Sequence, residues 1–437
     1  MLIRIAAAVL FASAVASAIA SAQTSPDIQN VLERLDKLET ENARLRDEIR
    51  ALRAELTAPA TEERMDVQEN RTAELEQTKV AASQRFPVTL TGMLLFNAFK
   101  NGQNAGAAQV PAAAALNKAP APDGASLRQT VVGLKFNGPE LPGGGKASGS
   151  LYMDFFAGTN VPANNLLRIR IATLDLAWKN TTISVGQDKP QISPREPVSL
   201  AQVGISPLTA AGNLWNWNPQ FRLEQRFAVN EHSGLKAQGQ IYETTENYSS
   251  TLPPQFAATL ERSRPSYEGR FEFFQEHGGR RVELAPGFHI GATHVAGRSV
   301  QSRIASFDWL VRPFAGLEFS GELFRGSDVA GLGALPGFNV SAAGVVTAVH
   351  SHGEWGQLAY APTARLSFHA YSGQQANRVA DLPSSGVIRN FVFAGNIMYK
   401  FAPNVIAAFE ASQARTEYLG FGLRRNNHYD LALAYLF

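Results

Sequence analysis

The chain ends Tyr429-Asp430-Leu431-Ala432-Leu433-Ala434-Tyr435-Leu436-Phe437, and this stretch decides the fold. Tyr429, Leu431, Leu433, Tyr435 and Phe437 recur at strict two-residue spacing. Successive side chains of a β-strand point to opposite faces, so this period gathers two tyrosines, two leucines and a phenylalanine on one apolar surface. His428, Asp430, Ala432 and Ala434 fall on the other.

A strand of this kind that stops on an aromatic residue resembles the closing strand of bacterial outer-membrane β-barrels. The resemblance implies that Leu431, Leu433, Tyr435 and Phe437 are read by the barrel-assembly machinery. A soluble sandwich could also end on an amphipathic edge strand, so the rest of the chain has to discriminate. At the other end, Arg4 precedes an apolar run from Ile5 to Ile19 and then Ala20-Ser21-Ala22, an A-x-A cleavage pattern. Residues 1–22 therefore read as an export signal, the run being short of the roughly 20 residues of a spanning helix.

Composition agrees with a barrel. Beyond the signal no stretch of 18 apolar residues occurs, which excludes a helical membrane protein. A transmembrane barrel can look this polar because every second strand residue faces a wet lumen. Zero cysteines exclude a disulfide scaffold and a thiolate metal site, and a net charge of +2 is too small to argue for nucleic acid.

Residues 23–57 read as a coiled coil. Ile28, Val31, Leu35, Leu38, Asn42, Leu45, Ile49, Leu52 and Leu56 alternate three and four apart, with Glu, Arg, Asp and Lys between them. Arg34-Leu35-Asp36-Lys37-Leu38-Glu39 resembles the Arg-apolar-x-x-apolar-Glu motif of three-stranded coils, whereas Asn42 at a core position often accompanies dimers. A homotrimer is the expectation, because trimeric outer-membrane barrels are common. Pro59 ends the helix, and residues 58–85 form a polar linker.

From residue 86 to 437 the pattern is β. Tight turns are expected near Gly138-Pro139, Asn180-Thr181, Asn230 to Gly234, Ala285-Pro286-Gly287, Arg312-Pro313, Ala361-Pro362 and Ala402-Pro403-Asn404. Longer loops are expected over 100–126, 157–165, 187–219, 245–265, 296–303, 326–340, 373–386 and 413–426. Seven turns and eight loops join about sixteen antiparallel strands, with 14 or 18 as the alternatives, both ends lying on the short-turn, periplasmic side. Phe391, Phe393, Ile397 and Tyr399 oppose Asn390 and Asn396, and Phe319 and Leu323 oppose Ser320 and Glu322, so a lipid face is legible. Arg168 and Arg170 share parity with Leu174 and Leu176, which calls for a bulge, a subunit interface or a position above the bilayer. Sixteen strands leave an aqueous channel, whose chemistry is the placement of charge around a constriction.

The pore candidates lie in and after the third long loop. Asp188, Lys189, Arg195 and Glu196 stand among Pro190, Pro194 and Pro197, and the loop ends in Trp215-Asn216-Trp217. Arg222, Glu224 and Arg226 then form a ladder opposite Phe221, Leu223 and Phe227, with Arg128 and Lys135 assigned to the second strand. Over residues 86–437 there are 29 basic and 24 acidic residues, a small bias toward anions.

The order of signal, heptads, linker, sixteen strands and aromatic terminus resembles the trimeric porins with a periplasmic coiled coil, the DcaP-like family of dicarboxylate channels. Val185-Gly186-Gln187 leading into the third loop is part of the match. The resemblance implies a homotrimer in the outer membrane of a Gram-negative-type bacterium, passing small hydrophilic solutes, often anions such as dicarboxylates, without a cofactor. Phosphate- and sugar-selective porins share parts of this layout, though neither a lysine ladder nor an aromatic ladder is evident. A barrel enzyme would need a rim site, and His350-Ser351-His352 is the one close histidine pair, without an acidic cluster to make it a metal site. A cell-wall tether is the third class.

Overall fold

The computed structural model describes residues 37–48, 88–106, 108–158, 165–243, 265–295 and 298–437. The chain divides into two units, Met1–Phe86 and Pro87–Phe437, and each is described by itself. In the first, residues 37–48 are helical. The expected signal, the linker and the heptad positions Ile28, Val31, Leu35, Ile49, Leu52 and Leu56 lie outside the described residues.

The second unit is a closed antiparallel barrel of sixteen long strands. In chain order its strands are β1 (Val88–Asn101), the short β2 (Gly124–Ser126), β3 (Val131–Leu141), β4 (Gly145–Gly158), β5 (Asn165–Ala177), β6 (Thr181–Asp188), β7 (Asn218–Ala228), β8 (Ser233–Tyr242), β9 (Ser266–His277), β10 (Arg280–Val295), β11 (Arg298–Phe314) and β12 (Leu317–Ser327). The short hairpin β13 (Phe338–Val340) and β14 (Val346–Ala348) follows, and then β15 (His350–Tyr360), β16 (Leu366–Asn377), β17 (Val387–Ala402), β18 (Val405–Tyr418) and β19 (Gly422–Leu436). Each long strand pairs with its neighbours in sequence, and β19 pairs with β1 from Met93↔Leu436 to Asn101↔His428. Among the described residues, closure leaves the barrel sheet without a free edge.

Alternation sorts the residues as the terminal nonapeptide does. Tyr429, Leu431, Leu433 and Tyr435 are exposed on the outer wall, while His428, Asp430, Ala432 and Ala434 are buried inside. The same split holds for Phe393 and Ile397 against Asn390 and Asn396, and for Phe319 and Leu323 against Ser320 and Glu322.

Several expected boundaries shift. The turn expected at Gly138-Pro139 is at 142–144, and Pro139 lies within β3 where its pairing with β4 slips between Asn137 and Glu140. Ala285-Pro286-Gly287 is not a turn: Gly278 and Gly279, both at positive φ, turn the chain, and Pro286 sits inside β10 opposite Phe307. Pairing of β10 with β9 is interrupted at Ala285 and Pro286, so the absent proline N–H leaves no ladder acceptor waiting. Pro313 likewise occupies an irregularity between Val311 and Phe314, and the turn falls at Ala315-Gly316. Of the long loops, 296–303 is mostly strand β11, and 413–426 reduces to the three-residue link 419–421.

The ambiguity at Arg168 and Arg170 resolves as a bulge. Tyr152 pairs with Ile171 but Met153 pairs with Ile169, so Arg170 is the extra residue. Parity reverses there. Below it Leu174 faces out, and above it Ile169 and Leu167 do, which turns both arginines inward.

Candidate functional site: the lumenal loop and its charge network

Residues 189–217, between β6 and β7, enter the barrel and touch opposite walls. On one side Asn97 Nδ2 donates to Leu200 O at 2.9 Å, and Gln129 Oε1 accepts from the Val203 and Gly204 amides at 2.7 and 2.8 Å. On the other, Ser193 Oγ donates to Glu322 at 2.5 Å, Gln357 Oε1 accepts from Val198 N at 2.6 Å, and Ser199 Oγ donates to Glu410 at 2.7 Å. Only a loop inside the lumen can bridge walls so far apart in strand order.

Apolar packing holds the same loop. Leu208 and Ala211 join Trp355, Tyr371, Val392 and Ala394 in one buried cluster, and Ile192 and Leu214 join Tyr242, Ile304 and Phe324 in another. The inner face is therefore not uniformly wet, as simple alternation suggests; it carries aromatic and aliphatic residues where the loop lies. Other segments close over the mouth. Thr209 Oγ1 donates to Gly333 O and Trp215 N to Leu332 O, both at 2.7 Å, and from the first long loop Ala114 N donates to Thr416 Oγ1 at 2.8 Å.

The charged candidates gather at the root of the loop. Asp188 meets Arg222 at 3.6 Å, Arg222 donates to Lys189 O at 2.9 Å, and Lys189 meets Glu196 at 2.6 Å. Arg195 reaches across the lumen and forks between Glu283 of β10 and Asp308 of β11. Glu224 and Arg226 face inward but nearer the short-turn end: Glu224 accepts from Gln238 at 2.6 Å, and the Arg226 guanidinium lies 4.4 Å over the Phe274 ring. Arg128 is not on a strand. It precedes β3, is buried, and donates to Phe156 O at 2.8 Å with its guanidinium 4.7 Å over the Phe156 ring.

Arg168 and Arg170 are the residues that parity alone could not place. Both converge on Asp154, Arg168 through Nη2 at 2.7 Å and Arg170 at 3.5 Å, and Arg168 also donates to Gly204 O of the loop at 2.5 Å. Their guanidinia lie 4.9 and 4.8 Å over Trp217, so this indole pins the loop to the wall through stacking on cations. Opposite them, Arg270 is buried between Asp308 and Glu272. His350 and His352 are on the outer wall, away from all of this, and among the described residues no cluster of metal-ligating side chains occurs.

Some of the pairs share an asymmetry, although Asp188 and Glu196 are slightly more exposed than Arg222 and Lys189. Asp154 is wholly buried under Arg168, which is 28% exposed, and Glu283 and Asp308 are 4% and 2% exposed beneath Arg195 at 18%. Lys236 over Glu272 repeats it. At these positions the carboxylates are sunk in the wall beneath partly exposed cations.

No known sequence family and no curated protein sequence matches the chain. Solved structures do match its fold. The outer membrane channel DcaP of Acinetobacter baumannii superposes with a TM-score of 0.64 at 15% identity, covering 80% of this chain and 97% of that one. An anion-selective porin from Comamonas acidovorans gives 0.54 at 12% identity, covering 80% and 99%. Salmonella typhi OmpF, in a complex with daunomycin, gives 0.51 at 8% identity, covering 80% and 97%. The barrel has a porin fold.

Proposed function

We propose that this chain is an outer-membrane porin, a passive diffusion channel that prefers small hydrophilic anions, dicarboxylates among them. The observation that carries the preference is the lumenal layering of charge: half-buried Arg168, Arg170 and Arg195 lie over the more deeply buried Asp154, Glu283 and Asp308. A solute passing the loop meets the nearer charge more strongly, and the buried partner is screened from it by the guanidinium. Two positive groups at Arg168 and Arg170 suit a carboxylate, which accepts paired N–H donors from a guanidinium. Two solved structures that share the fold, the DcaP outer membrane channel and an anion-selective porin, support this reading. Transport of this kind needs placed charge and width, with no catalytic group or cofactor.

Reversal potentials of the purified protein in planar bilayers across a salt gradient test the proposal. Anion preference, with current blocked by added dicarboxylate, is the expected result. Cation preference removes the dicarboxylate assignment, and absence of conductance removes the channel.

The trimer, with residues 1–22 as export signal, 23–57 as a periplasmic coiled coil and 58–85 as linker, belongs to the same proposal. Its support is in the described helix, where Leu38 and Leu45 are 58% and 50% exposed on either side of Asn42 in the heptad line. Apolar side chains so placed call for a partner helix. Chemical cross-linking of the full chain in membranes, against a form lacking residues 23–57, reads the oligomer directly.

A further inference from the structure

On the outer wall, at the long-loop ends of β11, β12, β15 and β16, the apolar band gives way to cations. Arg303, Arg325, His350 and His352 are exposed, while their strand neighbours Ile304, Phe324 and Ser351 are buried on the lumenal side, two of them against Ile192 and Leu214 of the inward loop. The cations therefore point out of the barrel. Strand pairing sets them side by side: Arg325 stands opposite His352, and Arg303 stands opposite Ser327 in the next row up. By sheet geometry Arg325 and His352 have their Cβ atoms about 5 Å apart, and Arg303 is a diagonal neighbour of Arg325 at roughly 7 to 8 Å.

These residues line one outward groove of 480 Å³, with Arg378 at its rim. Two of its acidic neighbours are engaged elsewhere and one is not. Asp381 is buried and holds Arg378 and His350, and Glu417 faces Arg389, while Glu354, diagonal to Arg325 one row below, accepts from the neutral Gln374 and keeps its charge. Among the described residues Arg303 and Arg325 have no ion-pair partner. Two guanidinia and an imidazole outweigh the one carboxylate of Glu354, and the net positive patch attracts an anion.

Height identifies the anion. Leu323, two residues along β12 from Arg325, is exposed on the apolar band, and Trp309, Phe319, Leu358 and Phe393 continue that band below it. At about 3.4 Å per residue the Arg325 row lies roughly 7 Å above Leu323, the level where acyl chains end and headgroups begin. A soluble anion would have no reason to sit where one wall of its site is lipid.

We propose that this groove binds the phosphate of a phosphorylated glycolipid of the outer leaflet, with Arg303 and Arg325 as the phosphate ligands and His352 beside them. The proposal rests on the outer-membrane reading of the barrel. Native mass spectrometry of the full chain in neutral detergent, titrated with diphosphoryl lipid A, tests it. The wild type should retain the lipid as a resolved adduct. Arg303→Gln with Arg325→Gln should lower its occupancy at least tenfold, and dephosphorylated lipid A should bind the wild type no better than the double variant. Retention of the lipid by the double variant, equal binding of the dephosphorylated form, or equal competition by inorganic phosphate at the lipid's own concentration would overturn it. Because both arginines face away from the pore, single-channel conductance of the double variant should match the wild type, which shows that it folds. Failure of the channel reading would appear instead as no conductance in either.

Discussion

Arg168 covers Asp154. Its guanidinium donates from Nε and Nη2 to the two carboxylate oxygens at 3.1 and 2.7 Å, and the carboxylate is fully buried beneath it. Replacing Arg168 and Arg170 together by Gln inverts the local charge from net positive to a single buried negative. The anion-to-cation permeability ratio should fall by roughly fivefold, the factor equivalent to about 1 kcal/mol of charge attraction at 4 Å in water. Asp154 would also be stranded, at a cost of about 3 to 5 kcal/mol. Adding Asp154→Asn should restore stability to denaturant without restoring selectivity. Reversal potentials and urea unfolding read the two effects separately.

The loop reaches the far wall at a glycine. Gly212 has φ +104°, and a Cβ built on it would lie 2.2 Å from Glu354 O and 2.8 Å from Gln374 O. Both obstacles are backbone, so Gly212→Ala must push the loop off β15 and β16, at about 1 to 3 kcal/mol. Single-channel conductance should rise and become noisier, while the barrel itself stays folded by heat-modifiability on gels. Unchanged conductance would mean that the segment around Gly212 does not limit the pore.

The sixteen strands were legible because lipid on one side and a packed or polar lumen on the other impose a two-residue period that survives misplaced turns. Prolines misled at Pro139, Pro286 and Pro313, since a strand can absorb a missing N–H at a bulge or a pairing gap and these three do. Arg168 and Arg170 resisted because one extra residue reverses parity, and no local propensity marks Arg170 as that residue. The inward loop carries a signal of its own in the sequence, apart from its charges. Residues 197–221 contain no Asp, Glu, Lys or Arg, and a long uncharged stretch rich in Leu, Ala and Val does not suit an exposed outer loop. Its wall partners, Glu283, Asp308 and Glu322, come from strands about a hundred residues away, a relation that closure of the barrel creates.

Above the membrane, Asp381 ties the β16–β17 connection to β15. Burial pushes its carboxyl up, but hydrogen bonds from Arg378 and from the backbone and ring of His350 outweigh this and bring it from 3.8 to about 2. The carboxyl is held below its unfolded value, so its contribution is complete above about pH 4 and is lost as pH falls toward 2. A difference of this size is worth on the order of 2 kcal/mol. Amide exchange over residues 378–386 should be constant from pH 7 to 5, after correction for intrinsic rates, and should accelerate below pH 4. Asp381→Asn should give the accelerated rate throughout, with pore conductance unchanged.

At the opposite end, Gly92 and Phe437 close the barrel by exchanging backbone hydrogen bonds, Gly92 N to Phe437 O at 2.9 Å and Phe437 N to Gly92 O at 3.2 Å. The terminal ring lies over the glycine, so a Cβ there would stand 2.7 Å from Phe437 Cζ and 2.4 Å from Val131 O. The ring can swing away but the carbonyl belongs to β3, and Gly92→Ala must therefore disturb pairing on both sides of β1. A loss of about 1 to 3 kcal/mol is expected in urea unfolding of the detergent-refolded barrel. Phe437→Ala keeps both backbone bonds and removes a ring that is already 43% exposed, so its loss in the same measurement should be smaller. In cells the order should reverse if the aromatic terminus serves as an assembly signal: Phe437→Ala should accumulate as unfolded, protease-sensitive chain, while Gly92→Ala inserts. Equal losses for the two variants in detergent would instead make Phe437 a packing residue whose part in closure ends with the folded wall.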